Sequence, residues 1–256
     1  MSSSIIFAGG EIRKLSLKPR TMPLGDPRCC RGVCGLGDGP KIILRKDWPQ
    51  AGVDLSDEVT EILDQDGLSL CHSFAGTQAN EIAHRLQGYK GMSLSAGNLA
   101  GQVTGYRDEG AGVDQVLAVL QSAGQTPRSL VAQNDYRGQD WPQGWQAQAL
   151  KFRIAAAWDC GHDAVFDAIV SCLIYGWPVE LGTRAFGGGH AVVATTVYQA
   201  GGVWRLAGPN SWGTTYSSWD RPGFWSFPEQ QISIGLSDFG AFGIQASVVD
   251  PDDVPA

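Results

Sequence analysis

Among the 256 residues are six cysteines and four histidines, and one of each is placed where a thiol and an imidazole could act together. The segments HAVVATTVYQ and VWRLAGPN flank Ala200, Gly201 and Gly202, which predicts an antiparallel hairpin. With the turn near residue 200 or 201, His190 falls opposite residue 210 or 211, and Asn210 stands there. Directly opposed residues share a face of the ribbon within about 5.5 Å at Cα, so an imidazole is set beside a carboxamide. An imidazole held in this way calls for a nucleophile. Cys71 begins the stretch CHSFAGTQANEIAHRLQG, at or near the first turn of a predicted helix. There the free N–H groups and the helix dipole favour a thiolate, and a neighbouring imidazolium favours it further, which implies an ion pair before substrate arrives. Taken singly, a free cysteine is most often a small buried apolar residue, and a strand histidine a satisfied one. The combination is what points to nucleophilic chemistry.

The elements that must position these residues are legible in outline. Phe74, Ala75, Ala79, Ile82, Ala83 and Leu86 form one helical stripe, preceded by Ser69 and closed by Gly88. Val113, Val116, Leu117 and Leu120 repeat at helical spacing before Gly124, a third helix is expected near QAQALKFRIAAAW, and a fourth through DAVFDAIVSCLIYG. From there PVELG, HAVVATTVY, VWRLAG, GFWSF and GIQASVV read as strands, rich in β-branched and aromatic residues and separated by Gly, Pro, Ser and Asp. A helical first half and a stranded second half imply an α+β fold of two lobes, helical over about 47–160 and β-rich over about 161–249. Residues 1–46 sustain no apolar period and crowd Cys29, Cys30 and Cys34 into RCCRGVCG. They are expected to be an extended arm that packs on the lobes or docks onto an assembly partner, anchored by Ile5, Ile6 and Phe7, rather than a removable inhibitor; a short extended peptide that blocks the cleft by strand-like pairing is the other reading. Residues 250–256, DPDDVPA, read as a solvated tail.

Composition narrows the partners. With 26 acidic against 19 basic side chains, a formal charge of −7 and no run of Lys or Arg, the chain lacks the basic patch that nucleic acid or an anionic membrane surface would require. No stretch approaches the ~18 apolar residues of a membrane span, and no export signal is read at the start. A chain of this size buries roughly 75% of its unfolded surface, so it needs no disulfide scaffold, and six cysteines make a reducing compartment the default. No cofactor is called for. Cys29, Cys30 and Cys34 lack paired CxxC spacing and a nearby histidine, so no metal site is assigned to them. Cys160 and His162 in DCGHD lack an oxyanion donor and an orienting partner.

On these residues the sequence resembles the papain-like cysteine peptidases over nearly all of residues 46–245. QDGLSLCHSF is similar to the segment in which a Gln precedes the nucleophile by six residues and a Phe follows it by three, matched by Gln65, Cys71 and Phe74. GGGHAVVATTVY is similar to the strand bearing the general base, His190, and GPNSWGTTY carries the Asn-Ser-Trp-Gly motif. DWPQAG, with Trp48, resembles the start of the mature enzymes, LSAGNLAGQ the loop after the central helix, and GFWSF the strand after the Asn motif. The resemblance implies a two-lobed fold with a cleft between the lobes and hydrolysis of peptide bonds through a thioester. In it His190 exchanges the Cys71 proton, Asn210 orients His190, Trp212 shields their hydrogen bond, and Gln65 with the Cys71 N–H forms the oxyanion hole. Gly110 and Ala111 resemble the pair that bonds the substrate backbone, and Gly189 leaves room on the opposite wall.

The sequence also departs from that family. The Trp usual after the nucleophile is His72, expected here as a polar rim residue, and the Cys usual three positions before the nucleophile is Leu68. Two other readings stand beside the peptidase. One keeps the chemistry on another substrate, as an amidase, isopeptidase or cell-wall peptide hydrolase. The other is a structural component of a virus particle or other assembly that retains the fold. Peptide or protein substrates are the expected partners.

Overall fold

The structure is a computed structural model in which residues 3–6 and 12–246 are described; Phe7 and the tail at 250–256 lie outside them. The helix expected at Cys71 is α1, Cys71–Leu86. It is not a surface helix with one wet face, because every residue from Cys71 to Arg85 is buried. Two of its polar side chains bond to neighbouring loops: Asn80 donates to the Phe152 carbonyl at 3.2 Å, and Glu81 accepts from the Leu94 N–H at 2.6 Å. Buried polar groups satisfied in this way let a helix of mixed composition lie inside the molecule. Ser69 does not cap it, since the N-cap is Leu70, without a side-chain bond.

On one side α1 packs against α2, Ala96–Thr104, and α3, Val113–Ser122. The sequence LSAGNLAGQ, expected as a loop, forms α2. Ser95 caps it by accepting from the Asn98 N–H, and Gly105 ends it in the left-handed region. On its other side α1 meets a sheet in the order β4, β10, β5, β6, formed by Ile154–Asp159, Ala241–Ala246, Val179–Thr183 and His190–Ala194. A second sheet runs β3, β7, β8, β9, from Val53–Asp54, Thr196–Ala200, Val203–Pro209 and Phe224–Pro228. Between the sheets' cores lies α5, Val165–Ile174.

The helix expected near QAQALKFRIAAAW is present in its first half and gives way to a strand in its second. Only α4, Trp145–Ala149, and one 3-10 turn, Leu150–Phe152, are helical, and IAAAW continues as β4 against β10. Alanine is a good helix former, but Ala156 and Ala157 are fully buried in a sheet covered on both faces. Such a strand carries no polar alternation to mark it. β4 also places a strand of the β-rich half before residue 160. Among the described residues no helix is long and apolar enough to cross a membrane.

The arm begins as a hairpin of β1, Ser3–Ile6, and β2, Ile12–Leu15. Beyond residue 20 it is clamped to the body. The Arg20 guanidinium pairs with buried Asp159 at 2.7 Å, and the Thr21 and Met22 N–H groups both donate to Asp114 Oδ2 at 2.7 Å. Farther on, Cys34 N–H donates to the Asp159 carbonyl at 2.7 Å. The crowded cysteines divide between two places: the Cys29 and Cys30 sulfurs lie 4.0 Å apart, while Cys34 hydrogen-bonds with Cys172.

Candidate active site

His190 opens β6, and its Nε2 lies 2.8 Å from Asn210 Oδ1. The contact expected from the hairpin is therefore present, but its register needs a correction. β7 and β8 pair Thr196 with Ala207 and Ala200 with Val203, which continued unbroken would set His190 opposite Gly213. The run from His190 to Ala200 instead changes sheet at Thr195, whose N–H donates to the same Ala207 that Thr196 faces. Two residues against one form a bulge, beyond which β6 leaves the β7–β8 ladder for the other sheet, so hairpin register no longer sets what lies opposite His190. The crossing is tight: a Cβ on Gly208 would lie 1.9 Å from the Val193 carbonyl oxygen, so only glycine fits.

Asn210 Oδ1 also accepts from the Ser211 N–H at 2.8 Å, which fixes the carboxamide. Trp212 stacks on the imidazole with ring centroids 4.4 Å apart and planes 28° from parallel, and it is fully buried. Its indole thus lies against the ring that Asn210 holds. With Nε2 engaged, Nδ1 is the imidazole nitrogen left without a hydrogen-bond partner.

Cys71 is the first residue of α1, so its N–H belongs to the end of the helix that lacks internal acceptors. Its sulfur lies within hydrogen-bonding reach of the backbone of Ala191, the residue after His190, which sets the thiol beside the start of β6. Gln65 is fully buried six residues earlier, with its Nε2 2.5 Å from the Leu68 carbonyl. Its Oε1 accepts from Ser211 Oγ at 2.6 Å. That bond orients the amide, and Ser211 is a positioning residue that sequence reasoning missed, although the Asn-Ser-Trp-Gly motif contains it.

The cleft is occupied by the protein itself. After β2 the chain crosses directly over Cys71, whose sulfur hydrogen-bonds with Ser16, and Ser16 Oγ donates to the Ser69 carbonyl at 2.8 Å. Leu17 N–H donates to the Gly189 carbonyl at 3.1 Å, and Lys18 N–H to the Ala111 carbonyl at 3.2 Å. A Cβ on Gly110 would lie 1.5 Å from the Ser16 carbonyl oxygen, and one on Gly189 2.8 Å from that of Leu17. The glycines expected to admit a substrate backbone thus admit a backbone. The arm packs on both lobes, as expected, but its path between them runs through the cleft. The segment lacks the helical period of an inhibitory domain, and the stretch Lys14-Leu15-Ser16-Leu17-Lys18 has instead the period-2 alternation of an extended strand, which suits the other reading, a short peptide lying in the cleft.

Burial sets the electrostatics. It pushes the Cys71 thiol up, against hydrogen bonds from Ala191 and Ser16 that favour the thiolate. It pushes the His190 imidazole down to about 4, against the Asn210 bond that favours the cation. Both shifts disfavour the expected ion pair, because charges cost more where water is excluded. In this closed form the pair is neutral.

His72 is not a rim residue. It is fully buried, and neither ring nitrogen has a hydrogen-bond partner among the described residues. Burial lowers its pKa from 6.5 to about 3, with the Lys18 charge acting in the same sense and Asp108 against it. In the unfolded chain a histidine protonates near pH 6.5, whereas folded His72 remains neutral until about pH 3. Below pH 6.5 the unfolded state therefore binds more protons, and stability falls as pH drops through that window. His190 adds to the fall from 6.5 to about 4. His72→Phe is expected to flatten the decline of Tm between pH 6.5 and 4, measured by thermal unfolding at a series of pH values; an unchanged slope would refute the assignment.

Against solved structures, the chain matches xylellain, a cysteine protease from Xylella fastidiosa, at 19% identity and a TM-score of 0.67, over 92% of this chain and 98% of that one. The chain has the papain-like fold. It also matches procathepsin L 3 of the Tenebrio molitor larval midgut, at 19% identity and TM-score 0.63 over 78% of this chain and 72% of that one. Bromelain from Ananas comosus, in complex with the E64 inhibitor, matches at 15% identity and TM-score 0.60, over 78% of this chain and 100% of that one. No family model matches the sequence, and no curated protein matches it. The α+β, two-lobed papain-like architecture expected from the motifs is thus the one observed, at identities where only the fold is shared.

Proposed function

We propose that the protein is a cysteine peptidase that hydrolyses peptide bonds with Cys71, His190, Asn210 and Gln65, and that residues 12–19 hold it closed. The observation carrying this reading is the peptide already in the cleft: Leu17 and Lys18 hydrogen-bond to Gly189 and Ala111 while Ser16 covers Cys71.

With the segment displaced, water reaches the cleft and the burial that keeps thiol and imidazole neutral is relieved. His190 Nδ1 takes the Cys71 proton, the sulfur attacks the substrate carbonyl, and the proton passes to the departing amine. Asn210 holds the ring by Nε2, so only Nδ1 can face the sulfur. The oxyanion is received by the Cys71 N–H and the Gln65 amide, which Ser211 orients. Water then hydrolyses the thioester and restores the thiol.

The test is intact mass of the full chain carrying Leu17→Asp, which unseats the segment from its apolar site, after exposure to a thiol-directed epoxide, followed by turnover of a peptide mixture. One adduct on Cys71 together with peptide cleavage supports the reading. Labelling of Cys160 would overturn the assignment of the nucleophile. A Cys71 adduct with hydrolysis confined to side-chain amides or isopeptides would favour the amidase alternative, and no reaction at all would favour a structural role.

A further inference from the structure

The segment over Cys71 reads Lys14-Leu15-Ser16-Leu17-Lys18, the same in both directions and centred on the residue that touches the sulfur. In an extended chain successive side chains point to opposite sides, and the two walls of the cleft receive them separately. Lys14 Nζ lies 3.0 Å from Asp108 Oδ2, Ser16 Oγ bonds to Ser69, and Lys18 Nζ lies 3.6 Å from Glu109 Oε2. These three partners all flank helices α1 and α3 on the helical lobe. Leu15 and Leu17 turn the other way and are buried. Leu15 joins the apolar cluster containing Phe186 and Trp212, and Leu17 the one containing Ala191 and Phe239. Asp108 is preset for its task, since its other oxygen accepts the Ser69 N–H at 2.6 Å, two residues before Cys71.

We infer that the cleft selects extended peptides in which cationic and apolar side chains alternate about a small central residue, with Asp108 and Glu109 reading the cations and the opposite wall reading leucine-sized groups. The inference rests on the peptidase reading and names its substrate class. Because the order of side chains is palindromic, a substrate entering in either chain direction presents lysines to the carboxylates and leucines to the apolar wall. The carboxylates are partly exposed, so each pair contributes modestly and is screened by salt.

The test uses full-length Leu17→Asp protein, in which the segment is expelled, and measures protection of Cys71 from the epoxide by three peptides. Lys-Leu-Ser-Leu-Lys should protect at about tenfold lower concentration than Glu-Leu-Ser-Leu-Glu at low salt, two exposed pairs and their reversal together reaching that size. Lys-Ser-Ser-Ser-Lys should protect poorly. Adding Asp108→Asn and Glu109→Gln, which keep the shapes and the Ser69 bond, should close the gap between the lysine and glutamate peptides and leave the serine peptide weak. Equal protection by the first two peptides, or a gap that survives the double neutralisation, overturns the inference. Failure of Leu17→Asp to speed labelling overturns its apolar half. Protection in the expected order without cleavage of either peptide would leave the selectivity standing and overturn the peptidase reading instead.

Discussion

In a chain opened by Leu17→Asp, replacing Cys71 by alanine is expected to lower peptide turnover by at least about 10⁴-fold, because groups that act as a nucleophilic unit fail together when one is removed. The fold should survive: Cys71 is fully buried, and alanine occupies slightly less space at the same helix start. His190→Ala should cost about as much, since Nδ1 is the proton acceptor left once Asn210 has engaged Nε2. Asn210→Ala should leave a measurable remnant. The acceptor remains, and Trp212, stacked 4.4 Å away, still restrains the ring. Single-turnover rates at saturating peptide, with thermal unfolding as a control, separate loss of chemistry from loss of structure. Turnover undiminished from that of the opened parent in either Cys71→Ala or His190→Ala would sink the assignment.

The second large effect concerns the arm. Leu17→Asp in the full chain is expected to raise both epoxide labelling of Cys71 and peptide turnover, on the order of 10²-fold, because an aspartate set among Ala191 and Phe239 is an unpaired buried charge. Expulsion of the segment relieves that cost and opens the cleft. A chain beginning at Asp47 should also gain turnover, but with a lower Tm, since it discards Leu15, Leu17, Cys29, Cys30 and Cys34, all buried. The two variants separate inhibition from stability. Labelling no faster than in the wild type in both would show that the segment does not gate the cleft.

What the amino-acid sequence determined by itself was the local and the chemical. Cys71 at a helix start, the hairpin around Gly201, and the motifs around Gln65 and Asn210 could be read because each depends on residues close along the chain. The helices at Cys71, Val113 and Val165 and the strands after Val179 were legible for the same reason: their apolar periods survive in the fold. Tertiary structure decided the rest. IAAAW became a strand because β10 supplied its hydrogen bonds, and alanines buried on both faces leave no alternating pattern. His72 became a core residue, and burial came to disfavour a charged thiol and imidazole, because parts of the chain distant in sequence, residues 16–18 among them, close over the site. Period-2 alternation at Lys14–Lys18 announces an extended segment, but not which groove receives it. That was settled only when the carbonyls of Gly189 and Ala111 and the carboxylates of Asp108 and Glu109, far apart in sequence, came to line one cleft.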